Sequence, residues 1–265
     1  MEVAGGKRNK TIVFIYEAIG TGLLLYAINI QKGTTFGQFG IAFMLFAMIL
    51  IGGPITGGHF NPAVTLGVYI SNVKWREDWQ IFLLMLFAQF FGALWGVCLA
   101  WNSLYNPTAV LVPPNKLTRG NVPESEIVLL YPADQVSNFD AFQIEALCTF
   151  VFVMMCLLVK TGKTKPTKQG FLSSLAVAST LLAMIVIAGP KTGAALNPAV
   201  GFAQTVFEIA QFGVRRNLEN YFWVYILGPF NGGLVAGILW RGQIFAFSVI
   251  NPPETTGKRI SKLIQ

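Results

Sequence analysis

Charge is what this chain has least of. Only 12% of its residues are Asp, Glu, Lys or Arg, whereas 54% are hydrophobic and the mean hydropathy is +0.57. A soluble domain carries roughly 25% charged residues, so most of the apolar surface here must face something other than water. That excludes a soluble enzyme and leaves the lipid bilayer as the solvent. Cysteine is scarce as well. Cys98, Cys148 and Cys156 fall inside apolar segments, with no Cys-x-x-Cys or Cys/His ligand spacing, and read as small buried hydrophobes. Neither a nucleophile–base pair nor a cluster of metal-ligating residues is present, so no enzyme activity and no cofactor are expected. A basic stripe with interleaved aromatics is also missing, so the net charge of +7 does not point to nucleic acid. No signal peptide is legible. Lys7, Arg8 and Lys10 precede an apolar run too long for an h-region, with no small-residue cleavage site, and that run reads as the first anchor.

What is abundant is long apolar sequence. Segments free of Lys, Arg and Asp run over about 11–31, 39–56, 79–102, 141–159, 171–189 and 220–240. Each is long enough for a spanning helix, given some tilt. Two further segments, near 57–71 and 192–207, are apolar, open with Gly and Asn-Pro, and are too short to span. Non-helical backbone at membrane depth is tolerated only where it is buried or lines a watery cavity. Short interrupted segments at matching places in two halves therefore point to a pathway.

The two halves are echoes. Glu17-Ala-Ile-Gly-Thr21 returns as Glu145-Ala-Leu-Cys-Thr149. Gly58-His-Phe-Asn-Pro-Ala-Val64 returns as Ala194-Ala-Leu-Asn-Pro-Ala-Val200, and Gln89-Phe-Phe-Gly-Ala93 as Pro229-Phe-Asn-Gly-Gly233. Order is kept with small insertions. Three spans plus one half-helix, repeated, place the halves in opposite orientations because an odd number of spans flips the second. The chain reads as one membrane domain over 1–265, with halves at about 11–102 and 141–245. The outer segment 103–140 between them, Pro-rich and acidic toward its end, reads as an irregular cap over the outer mouth.

With both termini cytoplasmic, inner segments hold Lys7, Arg8, Lys10, Lys74, Arg76, Lys160, Lys163, Lys165, Lys168, Arg241, Lys258, Arg259 and Lys262. Outer segments hold Lys32, Lys116, Arg119, Lys191, Arg215 and Arg216. That imbalance follows the positive-inside rule.

Asn61-Pro62-Ala63 and Asn197-Pro198-Ala199 are the informative pair. Each puts Asn at a helix N-cap and Pro at the first helical position. The side-chain oxygen can accept from opening backbone N–H groups, leaving the amide NH2 to face a ligand. Roughly ten residues follow each motif, or about 15 Å of helix, half the hydrocarbon thickness. Two such half-helices entering from opposite faces meet near the midplane with their positive ends together. A single Asn-Pro-Ala is also an ordinary helix start, and two capped helices in a transporter core are the bland alternative. The Gly-x-x-x-Gly spacings at Gly92/Gly96, Gly228/Gly232 and Gly233/Gly237 read as close helix packing.

On these residues the chain resembles the major intrinsic protein family, the aquaporins and aquaglyceroporins, from about residue 11 to 245. The match rests on the Glu17 and Glu145 helices, on Gly-Gly-His59-Phe-Asn-Pro-Ala-Val-Thr-Leu and Thr192-Gly-Ala-Ala-Leu-Asn-Pro-Ala, and on Gly228-Pro-Phe-x-Gly-Gly233. The resemblance implies an all-α membrane protein with six tilted transmembrane helices, two re-entrant half-helices, one pore per subunit and a homotetramer. It implies passage of water and small neutral solutes past Asn61 and Asn197. Glu17 and Glu145, the only carboxylates within the spanning segments, read as functional groups by default; the resemblance favours instead a role in accepting hydrogen bonds from the backbone before each half-helix. His59, the one histidine, reads either as a pH sensor or as a hydrogen-bonded part of the loop before Asn61.

One departure stands out. Most family members carry Arg directly after the second Asn-Pro-Ala, and here that residue is Val200. The other three constriction positions, counted without gaps, are Ile41, Ile185 and Ala194; Phe39 or Phe43 would supply an aromatic if the second helix were shifted. Gly201 stands where the glycerol-conducting branch usually has Asp. An apolar ring relaxes discrimination among neutral solutes, or dewets and closes if narrow. A structural or adhesive subunit with a poorly conducting pore is therefore the alternative to a channel.

Overall fold

The computed structural model describes residues 9–32, 34–72, 75–104, 128–160, 165–212 and 220–250. Of the basic residues used for orientation, Lys7, Arg8, Lys74, Lys116, Arg119, Lys163, Arg215, Arg216, Lys258, Arg259 and Lys262 lie outside them, as does most of the outer segment, 105–127.

Among the described residues eight helices follow in order: α1 Lys10–Ile30, α2 Gly37–Thr56, α3 Pro62–Ser71, α4 Trp75–Leu104, α5 Asn138–Lys160, α6 Gly170–Thr192, α7 Pro198–Phe212 and α8 Phe222–Ile250. Six of them (all but α3 and α7) are long and apolar enough to cross a membrane. Their large exposed apolar side chains, such as Phe87 and Phe91 on α4 and Ile187 on α6, form outer faces suited to lipid. Cys148 and Cys156 are buried, but Cys98 is exposed; it sits on the outer face of α4, so the reading of three buried thiols holds for two.

Local chemistry sets the ends. Asn9 caps α1, its side chain accepting from Thr11 N at 3.0 Å and Ile12 N at 3.3 Å. In α2 and α6 the sequence Gly-Pro-x-Thr-Gly recurs, at Gly53–Gly57 and Gly189–Gly193. Both helices end on a left-handed glycine, Gly57 with φ 100° and Gly193 with φ 85°, a conformation that only glycine adopts without strain. Two ends differ from expectation. Helix α8 runs to Ile250, continuing past Gly242 beyond the apolar run that was expected to end near residue 240. Helix α7 has 15 residues where α3 has 10. Its extra turn buries Glu208, a third buried carboxylate beside Glu17 and Glu145, on a half-helix and not on a spanning one.

The helices pack pairwise, α1 along α4 and α5 along α8. Each half-helix leans on the opposite half, α3 against α8 and α7 against α4. Small residues permit this closeness. A Cβ on Gly92 would stand 2.1 Å from Ala18 O, one on Gly96 2.1 Å from Gly22 O, one on Gly232 2.2 Å from Ala146 O and one on Gly237 2.7 Å from Gly67 O. At those distances backbone, not a flexible side chain, must move.

Gly92→Ala is therefore expected to destabilise the fold by about 1–3 kcal/mol, read as a lowered midpoint of thermal unfolding in detergent. Gly189→Ala, where a Cβ meets nothing within 4 Å, is expected to leave the midpoint within error. Equal midpoints for the two variants would show that α1 and α4 do not approach as described.

Candidate functional site

The turns before the two half-helices hold backbone in a rare conformation. Positive φ occurs at Gly57, Gly58 and Phe60 (49°) in one turn and at Gly193, Ala194 (55°) and Leu196 (50°) in the other. For L-residues the left-handed region costs about 1–2 kcal/mol each. Such backbone also leaves N–H groups without helical partners in a layer that holds little water.

Two carboxylates meet that demand. Glu17 of α1 accepts from Phe60 N at 2.8 Å, His59 N at 3.2 Å and Thr56 Oγ1 at 2.6 Å. Glu145 of α5 accepts from Leu196 N at 2.8 Å, Ala195 N at 3.0 Å and Thr192 Oγ1 at 2.6 Å. Each threonine hydroxyl accepts in turn from the next turn residue but one, Gly58 N at 3.0 Å and Ala194 N at 3.1 Å. Glu17 has one more partner, Gln89 Nε2 at 2.8 Å. In the second half the matching residue is Pro229, which has no donor, and Tyr225 instead ties its hydroxyl to Thr192 O at 2.7 Å. Both carboxylates are fully buried, and among the described residues their hydrogen bonds run to these turns or to Gln89. His59 is buried too, with Nδ1 3.1 Å from Thr65 Oγ1.

The turns deliver Asn61 and Asn197 to each other. Asn61 Oδ1 accepts from Ala63 N at 2.8 Å, and Asn197 Oδ1 from Ala199 N at 2.9 Å; Pro62 and Pro198 open α3 and α7. Asn61 Nδ2 donates to Leu196 O at 2.8 Å, and Asn197 Nδ2 to Phe60 O at 3.0 Å. Each amide thus binds the carbonyl just before the other asparagine. Its second hydrogen has no protein partner among the described residues, and both asparagines line a cavity. That cavity offers about 60 Å³ to water-sized molecules, room for about four or five waters. A second cavity, of about 270 Å³, lies where α5 ends and α6 begins, and His59 lines both.

Ile41, Ile185, Ala194 and Val200 all line the first cavity. Phe39 and Phe43 are 48% and 53% exposed, on the face of α2 turned away from it, so the unshifted register places Ile41 inward. Sequence reasoning missed the rest of the wall. Leu24 and Ile28 on α1, Leu45 on α2, Leu181 on α6 and Phe152 on α5 also line it. The pairs Leu24/Ile28, Ile41/Leu45 and Leu181/Ile185 are spaced i, i+4, one helix face each, and that spacing was the available signal. Gln89, Thr56 and Thr192 were also missed, although the two threonines sit in the repeated Gly-Pro-x-Thr-Gly.

The described end of the outer segment enters the site as a strap. Val128 and Leu130 line the cavity. Val128 N donates to Asn29 Oδ1 at 3.2 Å, which also accepts from Gln204 Nε2 at 3.1 Å. The Tyr131 hydroxyl donates to the Glu208 carboxylate of α7, and Ala133 N to Lys191 O at 2.8 Å. No local sequence signal foretells that a polar pair so far apart would close on this strap.

Glu145→Gln puts an amide NH2 against donors and orphans at least one of them. A loss of about 1–3 kcal/mol per orphaned group is expected, with a lowered unfolding midpoint in detergent and reduced transport in vesicles. A variant as stable as the parent would show that the turn does not depend on this carboxylate.

The model of the Major intrinsic protein family matches residues 9–240. Aquaporin-1 of Rhizophagus irregularis is 30% identical over 250 residues, covering 89% of this chain and 79% of its own. The glycerol uptake facilitator protein of Escherichia coli (strain K12) is 27% identical over 252 residues, 87% of each chain. The X-ray structure of the aquaglyceroporin from Plasmodium falciparum superposes with a TM-score of 0.75 at 20% identity, over 91% of this chain and 100% of that one. The paired Asn-capped half-helices, their carboxylate-held turns and these matches agree: the chain belongs to the major intrinsic protein family and is an integral, multi-pass membrane protein.

Proposed function

We propose that this chain is a passive channel whose lumen carries water and small neutral solutes across a bilayer between the two half-helix starts. Members of the family are passive transporters and not enzymes. The observation that carries the residue-level reading is the crossed pair of amide bonds, Asn61 to Leu196 O and Asn197 to Phe60 O. It leaves one N–H of each amide for the solute, beside two helix starts that each carry about half a positive charge. A water there presents its oxygen to both donors and cannot sustain a continuous donor chain, while cations meet a positive barrier.

The selectivity ring in this reading is Ile41, Ile185, Ala194 and Val200. Without a charged donor, the ring sorts neutral solutes by size and by the ease with which they shed water. Similarity to a glycerol uptake facilitator supports a solute larger than water. The apolar ring also motivates the structural or adhesive alternative, which similarity to channels throughout does not favour. We further propose a homotetramer with one lumen per subunit and both termini cytoplasmic, as the resemblance and the distribution of basic residues suggest.

Stopped-flow swelling of proteoliposomes in sucrose, glycerol, urea and ammonium gradients tests the reading. Permeability above that of empty vesicles is expected for water and at least one solute; none, with folded oligomers confirmed, favours the structural alternative. Val200→Arg is expected to lower the solute-to-water permeability ratio by about tenfold, equivalent to about 1.4 kcal/mol of added barrier. An unchanged ratio would remove Val200 from the ring.

A further inference from the structure

Formal charge along the described lumen sits at one end only. Around the cavity that holds Asn61, Asn197 and Val200, no Asp, Glu, Lys or Arg is among the described lining residues. Among the described residues, the charged ones that line the second cavity are Lys160 and Lys165. Lys160 closes α5 in its last turn, and its Nζ is shielded from solvent. Val159, Val177 and Ile49 line the same space, so the neighbouring walls are largely apolar. No carboxylate lines either cavity among the described residues.

Apolar walls focus the field of nearby charges into the space they enclose. An ammonium beside such a vestibule raises the energy of any cation entering it and leaves a neutral solute unaffected. At the other mouth the wall is Ile41, Ile185, Ala194 and Val200, which offers a cation no charge of either sign. The half-helix starts remain between the two ends, as partial charges only.

Resting on the channel reading above, we infer that Lys160 and Lys165 form the principal fixed-charge barrier to cations in this pore. The positive charge stands at the vestibule where α5 ends and α6 begins, not beside the second Asn-Pro-Ala. The two lysines act through space on the permeating ion, so their charge matters and their shape does not. As on any passive path the barrier is the same from both sides and only its position is asymmetric: a cation arriving from the Val200 side reaches the midplane before it meets a full charge, whereas one arriving from the lysine side meets it first.

The test uses the full chain in proteoliposomes and planar bilayers, with water permeability and potassium conductance measured on the same preparations. The variants are Lys160→Met, Lys165→Met, the double variant, Lys160→Arg, and the double variant carrying Val200→Arg. The double variant is expected to raise the ratio of potassium to water permeability by about tenfold or more. Lys160→Arg is expected to keep the parental ratio, and Val200→Arg to restore exclusion by returning a charge at the other mouth. Lys165→Met, at a partly exposed site, gives a smaller rise in the same direction and serves if Lys160→Met does not fold. A double variant that conducts water and stays as potassium-tight as the parent overturns the inference, as does Lys160→Arg leaking like Lys160→Met. A parent chain that passes neither water nor solute brings down the channel reading, and this inference with it.

Discussion

The structure depends on one exchange inside the apolar layer: two buried carboxylates for the unpaired backbone of two turns. A lone carboxylate among apolar helices is expensive, and so is an unbonded N–H group. Glu17 and the turn at 57–60, and Glu145 and the turn at 193–196, relieve both costs at once. Each carboxylate accepts two backbone N–H groups and one threonine hydroxyl. The left-handed residues Phe60, Ala194 and Leu196 are held in place by those bonds, since nothing in their own side chains prefers that region. The strain and the buried carboxyl groups therefore persist together.

That exchange sets up a second one between the halves. Because Phe60 and Leu196 are left-handed, their carbonyls are free of helical bonding and are met by the opposite asparagine, Asn197 and Asn61. The repeats are stitched at their centre by two hydrogen bonds, while small residues let the surrounding helices close in around them. The result is a short polar belt beside the largely apolar wall of the first cavity. In the proposed channel its donors are the amide hydrogens that the stitch leaves over, since both asparagines line the cavity.

The halves are not copies. Gln89 reinforces Glu17 where Pro229 cannot reinforce Glu145, and Tyr225 supports the second turn through the carbonyl of Thr192. Helix α7 is longer than α3, and its added turn carries Glu208 to the strap tyrosine, Tyr131. With the Asn29–Gln204 pair this anchors Val128 and Leu130 against the lumen at one mouth only. Across His59 lies a larger cavity bordered by lysines. An inverted repeat thus yields a pore with two chemically different entrances, because loops between helices diverge more easily than the packed faces do.

Much of the molecule was legible from the chain alone, for reasons that are local. Long apolar runs without Lys, Arg or Asp dictate spanning helices, since a helix satisfies its backbone in lipid within a single segment and runs of about 20 residues exceed a barrel strand. Asn-Pro-Ala dictates a capped helix start wherever it stands, and its repetition in order dictates the two halves. The family likeness rests on those same strings. Helix ends were less secure, as α7 and α8 show, because a helix stops where packing or a breaker ends it and not where hydropathy falls. What the sequence could not say is which side chains meet. The inward register of Ile41, the partnership of Gln89 with Glu17, the strap of Val128 and Leu130, and the burial of Glu208 against Tyr131 all join residues far apart in the chain. Such contacts are fixed by the crossing of helices in three dimensions, and only the tertiary structure decided them.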